Sequence, residues 1–287
     1  MTLLRFKFFI FLLFLIFYSC GTQKNPYVKN DIKINIEEYQ KTAFSFQLKG
    51  NFDAAISYLL QALERAYLID DVDKIIEIAN SLGEIYLNND NLVEASNFIF
   101  LAYDTSKVEK KNDFFTLLNI AKFWVKFYEK SNLFQYQKII NEYYASSFSL
   151  ADDDEKKSIY FNSYGKFLLK LKEYDKALEA FNKARVISEG KKNYLLLGES
   201  CYNTGRVYEE RKEFEKAIES YKMALEYDKL TENVSGIMAD LKKLGRIYKV
   251  MNQREKATYY LNKAKKIAIT INAQKQIEEI DKELMGF

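Results

Sequence analysis

Four cationic residues recur at intervals of forty along the chain: Lys126, Lys166, Arg206 and Arg246. Cations spaced regularly along one wall focus positive potential and can form charge-assisted hydrogen bonds to carboxylates. The sequence offers few residues for acid–base catalysis, because its 287 residues include no histidine. Histidine is the side chain most used for proton transfer near neutral pH and the commonest metal ligand. We therefore expect a binding protein that is not an enzyme and that uses no metal and no cofactor.

Other residues that could support catalysis have simpler structural interpretations. Cys201 has no histidine to activate it and is expected to be a buried thiol. The acids Asp70 and Asp71 are expected in a turn, with no cleft implied. The run ADDDEKK (151–157) lacks the spaced ligands and the glycine of a calcium loop, so it predicts a solvated turn that enters a helix.

The first nineteen residues predict a secretory signal that is not part of the fold. Arg5 and Lys7 precede an apolar stretch from residue 8 to residue 18, and a membrane span needs about 20 such residues. The stretch ends in FYSCG, which resembles a bacterial lipoprotein signal and implies that Cys20 is acylated, as with palmitate. Phe17 stands where leucine is usual in that signal. An ordinary signal peptide with an incidental cysteine is the alternative.

Acylation of Cys20 would anchor the chain to a membrane, with residues 20–35 forming the lipidated cysteine and a polar tether. Loss of residues 1–19 removes Arg5 and Lys7 and lowers the formal net charge from +3 to +1. Overall charge then favours neither nucleic acid nor an acidic membrane surface. Cys201 would be left with no cysteine for an internal disulfide.

The remainder of the chain repeats a pattern with a period of forty residues. An alanine recurs in five copies, and a second alanine follows seven residues later in each copy. A small residue lies twelve positions before the first alanine. The first alanines are Ala55, Ala95, Ala177, Ala217 and Ala257, and the small residues are Ala43, Gly83, Gly165, Gly205 and Gly245. One degenerate copy, with Gln137 in the alanine position, lies between Ala95 and Ala177.

This spacing predicts a hairpin of two helices in each copy. A glycine or alanine in the first helix lets the second helix approach closely, and alanines seven apart lie on one stripe of the second helix. A leucine at either alanine would overpack the contact, at a cost of about 1–3 kcal/mol. Turn signals such as LKGN (48–51) and NNDN (88–91) separate the two helices.

The hairpins resemble tetratricopeptide repeats. LGEIYLNNDNLVEASNFIFLA (82–102) and LGRIYKVMNQREKATYYLNKA (244–264) carry the family's pattern, although the closing proline is missing and the period is longer than usual. The resemblance implies an all-α, right-handed α-solenoid of about six hairpins with a polar capping helix. The expected units are residues 36–75, 76–117, 118–157, 158–197, 198–237 and 238–270, with a capping helix at 271–287.

In this family, the position after the small residue points into a concave groove. The resemblance therefore implies that a set of cations and amides lines a groove for an acidic or extended peptide. These candidates are Lys122, Lys126, Lys166, Lys170, Arg206, Lys242, Arg246, Lys249, Asn80 and Asn162. Glutamates such as Glu84 and Glu199 are expected nearby, so the alternative is that the cations pair with acids and merely solvate the surface.

Two further surfaces have open interpretations. Phe44 and Leu48 predict an apolar patch in the first unit, which either takes a hydrophobic anchor or is shielded by the tether. Trp124, Phe127 and their aromatic neighbours crowd the degenerate unit. They are either a binding hot spot or core that replaces the missing alanines.

Together these patterns predict a lipid-anchored scaffold in the bacterial cell envelope that binds protein or peptide partners and no nucleic acid. Gly21 follows the cysteine in place of the acid that retains some lipoproteins at the inner membrane, which favours the outer membrane. The alternatives are a surface-exposed lipoprotein that binds an external ligand, an accessory subunit of outer-membrane protein assembly, and a spacer without a ligand.

Overall fold

The structure is a computed structural model that describes residues 31–129 and 133–286. The predicted signal peptide and Cys20 lie outside the described residues. The described ranges contain thirteen helices and no strand, which confirms the all-α repeat solenoid. The helices are α1 Asp31–Leu48, α2 Phe52–Leu68, α3 Val72–Asn88, α4 Leu92–Val108, α5 Phe114–Tyr128, α6 Leu133–Phe148, α7 Asp154–Lys170, α8 Tyr174–Lys191, α9 Tyr194–Glu210, α10 Phe214–Leu230, α11 Val234–Val250, α12 Arg254–Thr270 and α13 Gln274–Met285.

The helices form six successive antiparallel hairpins, from α1/α2 to α11/α12, and α13 packs against α12. The first helix of each hairpin begins about one turn before the predicted unit boundary. In the first unit, residues 31–35 are helical although they were expected in the tether. The reason is local capping, since Asp71 and Asn193 accept hydrogen bonds from backbone N–H groups in the first turn of α3 and α9.

The two helices approach closely in the hairpins that contain the predicted glycine, as the small-residue pattern predicted. A Cβ atom on Gly165 would lie 2.5 Å from Phe181 Cε1, and one on Gly205 would lie 2.9 Å from Tyr221 Cδ1. Ala177 and Ala184 are fully buried on the second helix of the same hairpin as Gly165. A side chain at either glycine would force the facing aromatic ring to move, so the hairpin spacing depends on the absence of a Cβ.

The degenerate third unit replaces alanines by aromatic rings. Tyr144 occupies the position of the second alanine, is 2% exposed, and stacks near Phe167 of α7. Trp124 is partly buried and stacks on Tyr128, whereas Phe127 on the same helix is 51% exposed. The aromatic cluster is therefore largely core, with one ring turned to solvent.

The solenoid returns on itself, because α1 lies against α11. The turn after α1 contacts the start of α11 and the end of α12 through Gly50, Ser235 and Ile271. Among the described residues, no helix has the length and apolar character needed to cross a membrane.

Candidate functional site

The first helices of four successive hairpins line one cavity of about 350 Å³. Residues from α3, α5, α7 and α9 surround it, and Tyr144 of α6 contributes to its floor. The apolar part of the lining includes Leu87, Val125, Phe167 and Tyr202. The cavity combines an apolar floor with a charged rim, which is a typical composition for a ligand site.

The structure brings five of the ten predicted groove residues to this cavity. They are Lys122, Lys126, Lys166, Lys170 and Arg206. Glu84, Glu129 and Glu199 line the same cavity, so its rim carries five cations and three carboxylates. The forty-residue period places these cations side by side because each unit presents its first helix in the same orientation.

Four of the five cavity cations are bound to acids. Lys122 Nζ lies 2.7 Å from Glu84 Oε1, and Lys126 Nζ lies 2.5 Å from Asp90 Oδ1. Lys166 pairs with Glu199 and Lys170 pairs with Glu129, again between different units. The Lys122 ammonium, with a smaller effect of Lys166, lowers the pKa of Glu84 below its usual range. The sequence analysis gave pairing of the groove cations with acids as its alternative, and such pairing occurs at these four lysines.

Arg206 is the one cavity cation of the described residues that is not paired with an acid. Among the residues that the structure describes, no carboxylate lies within ion-pair distance of its guanidinium, and Nη1 donates to Asn203 Oδ1 at 3.3 Å. The sequence explains the difference between Arg206 and Lys166. Lys166 is paired by Glu199 of the next first helix, but the residue forty positions after Glu199 is Ala239.

Asn203 is a site residue that sequence reasoning missed. Its side chain is 1% exposed and lines the cavity, and its Nδ2 has no acceptor within the described ranges. A buried amide without a partner costs about 1–3 kcal/mol. Its position three residues before Arg206, on the same face of α9, was the signal available in the sequence.

Asn80 and Asn162 do not line the cavity, which corrects their placement in the groove. Asn80 is buried and its Nδ2 donates to Thr116 Oγ1 at 2.9 Å and to Asp113 Oδ2 at 3.0 Å. Asn162 is buried and its Oδ1 accepts from Ser200 Oγ at 3.0 Å. Both amides connect neighbouring first helices, so they are structural.

The remaining predicted cations lie on α11 and contact the last helix. Lys242 Nζ is 2.9 Å from Glu279 Oε2, and Arg246 pairs with Glu283. Lys249 Nζ donates to the Glu283 carbonyl oxygen. Helix α13 therefore takes the place of a seventh first helix and supplies acids to this part of the groove.

Two other candidate residues do not line the cavity. Cys201 is 3% exposed, and burial raises the pKa of its thiol to about 11, which makes it a poor nucleophile. Phe44 is half-exposed on α1, away from the cavity lining. Within residues 31–129 and 133–286, no group of three or more acids and cysteines is arranged to hold a metal ion.

Comparisons with known proteins agree with a fold of repeated helical hairpins. Residues 158–229 match the tetratricopeptide repeat family. A Rap protein complexed with competence and sporulation factor is similar in structure, with a TM-score of 0.58, 16% identity, and coverage of 88% of this chain and 74% of that chain. Aspartyl phosphate phosphatase F from Bacillus subtilis has a TM-score of 0.54 and 15% identity, covering 91% and 80% of the two chains. BtubC from P. vanneervenii has a TM-score of 0.51 and 16% identity, covering 76% and 91%.

At these identities the similar structures support the fold alone. No curated protein sequence matches the chain.

Proposed function

We propose that this tetratricopeptide-type solenoid is a protein-interaction scaffold that holds an acidic, extended segment of a partner in the cavity between α3 and α9. One observation carries the proposal: Arg206 lines the cavity, its Nη1 donates to Asn203 Oδ1, and no carboxylate of the described residues lies within ion-pair distance of its guanidinium. Tetratricopeptide repeats typically serve as non-enzymatic scaffolds that bind proteins. The absence of histidine is consistent with a binding role.

The cavity suits a peptide because it offers two kinds of contact. A partner carboxylate would accept charge-assisted hydrogen bonds from the Arg206 guanidinium, which are stronger than neutral ones. Phe167 and Tyr202 line the same cavity and would pack against apolar side chains of the segment. The lysines around them are already paired, so they contribute less attraction than their number indicates.

A similar fold holds a partner in one solved structure. The Rap protein that resembles this chain is complexed with competence and sporulation factor. That complex supports the idea that a solenoid of this kind accommodates a binding partner, while the acidic character proposed for the ligand follows from Arg206.

Site-specific photo-crosslinking in cells tests the proposal. A photoreactive residue in place of Asn88, at the cavity rim, should capture a protein partner, and one in place of Lys183, exposed on the second helix α8, should not. Capture through position 88 should be lost when Arg206→Glu is added. Equal capture from both positions, or capture that is insensitive to Arg206→Glu, would contradict the cavity as the binding site.

We further propose that the chain is acylated at Cys20 and works at the outer membrane of the cell envelope. The support is the FYSCG sequence after a short apolar stretch. Cells fed an alkyne analogue of palmitate should label the protein, and Cys20→Ser should abolish the label. Proteolysis of intact cells then separates a periplasmic scaffold, which is protected, from a surface protein with an external ligand, which is digested.

A further inference from the structure

Helix α12 differs in charge balance from the second helices of the other hairpins. It carries five cations and one acid, Glu255. Helix α8 carries four cations and three acids, and α10 carries three cations and four acids. Helices α2, α4 and α6 carry one cation each. The surplus of positive charge on α12 is therefore not a general property of the repeat.

The exposed cations of α12 share one stripe of the helix with two apolar side chains. Lys256, Lys263 and Lys266 are exposed, and Tyr259 and Ile269 are 57% and 51% exposed. Spacings of three and four residues place all five on the same side of the helix. With a rise of 1.5 Å per residue, the stripe is about 20 Å long.

The lysines of this stripe have neutral partners where other second helices provide acids. On α8, Lys183 Nζ lies 2.7 Å from Glu179 Oε1. Lys263 occupies the equivalent position of α12, and its Nζ donates to Tyr259 Oη at 3.3 Å and lies 5.0 Å from the centre of that ring. In the described part of the chain, Lys263 and Lys266 have no acid within ion-pair distance. Their charge is therefore available to an external anion.

The shape of the stripe suits an extended anionic surface. Cations along about 20 Å of a helix can contact many phosphates at once, whereas a single carboxylate would engage one or two of them. An exposed tyrosine and an exposed isoleucine among lysines are typical of helices that lie at the boundary between lipid headgroups and acyl chains. The cavity has no residue of α12 in its lining, so such a contact would leave the cavity free for a protein partner.

The hairpin that leads to Cys20 lies next to α12. A Cβ atom on Gly50, in the turn after α1, would lie 2.9 Å from Ile271 Cδ1, and Ile271 directly follows α12. The eleven residues from Cys20 to the start of α1 can span at most about 40 Å. Helix α1 itself is only about 27 Å long. An acyl group on Cys20 can therefore reach a membrane that α12 contacts.

We propose that the outward face of α12 binds the anionic phospholipid surface of the membrane in which Cys20 is anchored. The small net charge of the whole chain does not oppose this contact, because exposed charges act mainly within a Debye length of about 8–10 Å. The proposal rests on the proposed acylation for its place in the cell. The contact of α12 with anionic lipid can be measured separately.

Quenching by lipid at two matched positions tests the contact. Asn262 on α12 and Asn182 on α8 are exposed asparagines eighty residues apart, at equivalent positions of their hairpins. The full chain is labelled with a fluorophore at Asn262→Cys or at Asn182→Cys and added to vesicles that contain brominated lipid. On phosphatidylglycerol vesicles, quenching at position 262 should be at least twofold stronger than at position 182. On phosphatidylcholine vesicles, the two positions should be quenched equally. Equal quenching on phosphatidylglycerol would overturn the proposal.

Charge reversal identifies the residues responsible. Lys263→Glu/Lys266→Glu should remove the excess quenching at position 262, because the reversed charges repel phosphate. Lys176→Glu/Lys183→Glu makes the same change in net charge at exposed positions of α8 and should preserve the excess. An excess that survives in the α12 variant, or that is lost in both variants, would overturn the proposal.

Flotation with the two kinds of vesicle separates this proposal from the acylation of Cys20. Attachment to phosphatidylcholine vesicles requires the acyl group, so a chain that fails to float with them would count against acylation. The comparison of positions 262 and 182 on phosphatidylglycerol would still decide whether α12 contacts anionic lipid. A chain that floats with neither kind of vesicle would overturn both.

Discussion

The row of cations at intervals of forty residues includes Arg206 on α9 and Arg246 on α11, and these two arginines have different partners. On α9, Arg206 faces a cavity with only Asn203 as its hydrogen-bond partner within the described ranges. On α11, Lys242 and Arg246 are bound by Glu279 and Glu283 of α13. The forty-residue period predicts equivalent roles for Arg206 and Arg246, but the next helix in space decides which one is free to bind.

The comparison shows why a row of cations is weak evidence for a binding site. Each first helix can receive acids from the helix before it and the helix after it, so a lysine is often paired within the protein. The end of the solenoid adds a further reason. A capping helix must cover the last repeat, and the acids of α13 pair with α11 while doing so. Within the described residues, a cation of the cavity is left without an acid where the pairing pattern has a gap, as at Ala239.

Arg206→Glu is expected to have the largest effect on the affinity for an acidic peptide, which we represent by a fluorescent eight-residue glutamate peptide. Losing charge-assisted hydrogen bonds of about 1.5–3 kcal/mol should weaken binding of the glutamate peptide about tenfold to a hundredfold. Arg246→Gln should change the affinity less than about twofold, because Arg246 already pairs with Glu283. Fluorescence anisotropy titrations measure both constants. Equal losses in the two variants would mean that the two regions do not differ.

The buried acid pair between α10 and α11, Asp228 and Asp240, is expected to make stability fall as pH rises. Burial raises the pKa of Asp228 to about 6, and burial together with the Asp228 charge raises the pKa of Asp240 to about 9. The folded chain therefore holds a proton that the unfolded chain has released above pH 4, so stability is lost as pH rises through the folded pKa values.

Urea unfolding should show about 1–3 kcal/mol less stability at pH 9 than at pH 6. Asp240→Asn should remove most of this dependence, because both Asp240 oxygens lack donors in the described structure and an amide can donate to Asp228. Asp281→Asn, which alters an ion pair with Lys265 at the surface of α13, should leave the pH slope unchanged. A slope of opposite sign would contradict the shared proton.

Ala239→Glu would sharpen the comparison by supplying the missing acid. A glutamate at position 239 stands where Glu199 stands in the preceding unit, and it should pair with Arg206 as Glu199 pairs with Lys166. Peptide affinity should fall about tenfold or less, while the midpoint of thermal unfolding stays the same or rises slightly. Ala239→Gln has the same size without the charge, and it should retain binding. Equal loss in both variants would indicate steric blocking instead.

Glu279→Gln with Glu283→Gln should convert the C-terminal end into a region like the middle. Removing the two carboxylates releases Lys242 and Arg246, so a second equivalent of peptide should bind weakly in a calorimetric titration. Stability should fall by only about 0.5–1 kcal/mol, because these ion pairs are partly exposed. Unchanged stoichiometry would show that the cations of α11 cannot bind a peptide even when unpaired.

Much of the fold was predictable because its contacts are local. In four of the six hairpins, a glycine in the first helix meets the second helix of the same hairpin, and a fixed spacing in the sequence records that contact. The unit boundaries were one turn late, since the packing pattern says nothing about the capping residues that start each first helix, such as Asp71 and Asn193. The sequence also predicted which cations share one surface. It did not predict whether a given polar side chain would be buried. Asn80 and Asn203 are both buried, but only Asn203 lines the cavity.

The sequence by itself determined the helical hairpins, because each hairpin depends on residues less than one repeat apart. It also determined the number of hairpins and the row of cations, because both follow from a pattern that recurs every forty residues. The tertiary structure alone decided which cations are neutralised, since each partner lies in another unit, as with Lys166 and Glu199. It alone also brought Gly50 to Ser235 and Ile271. That contact depends on the sum of small rotations over five repeats, and no single spacing in the sequence encodes such a sum.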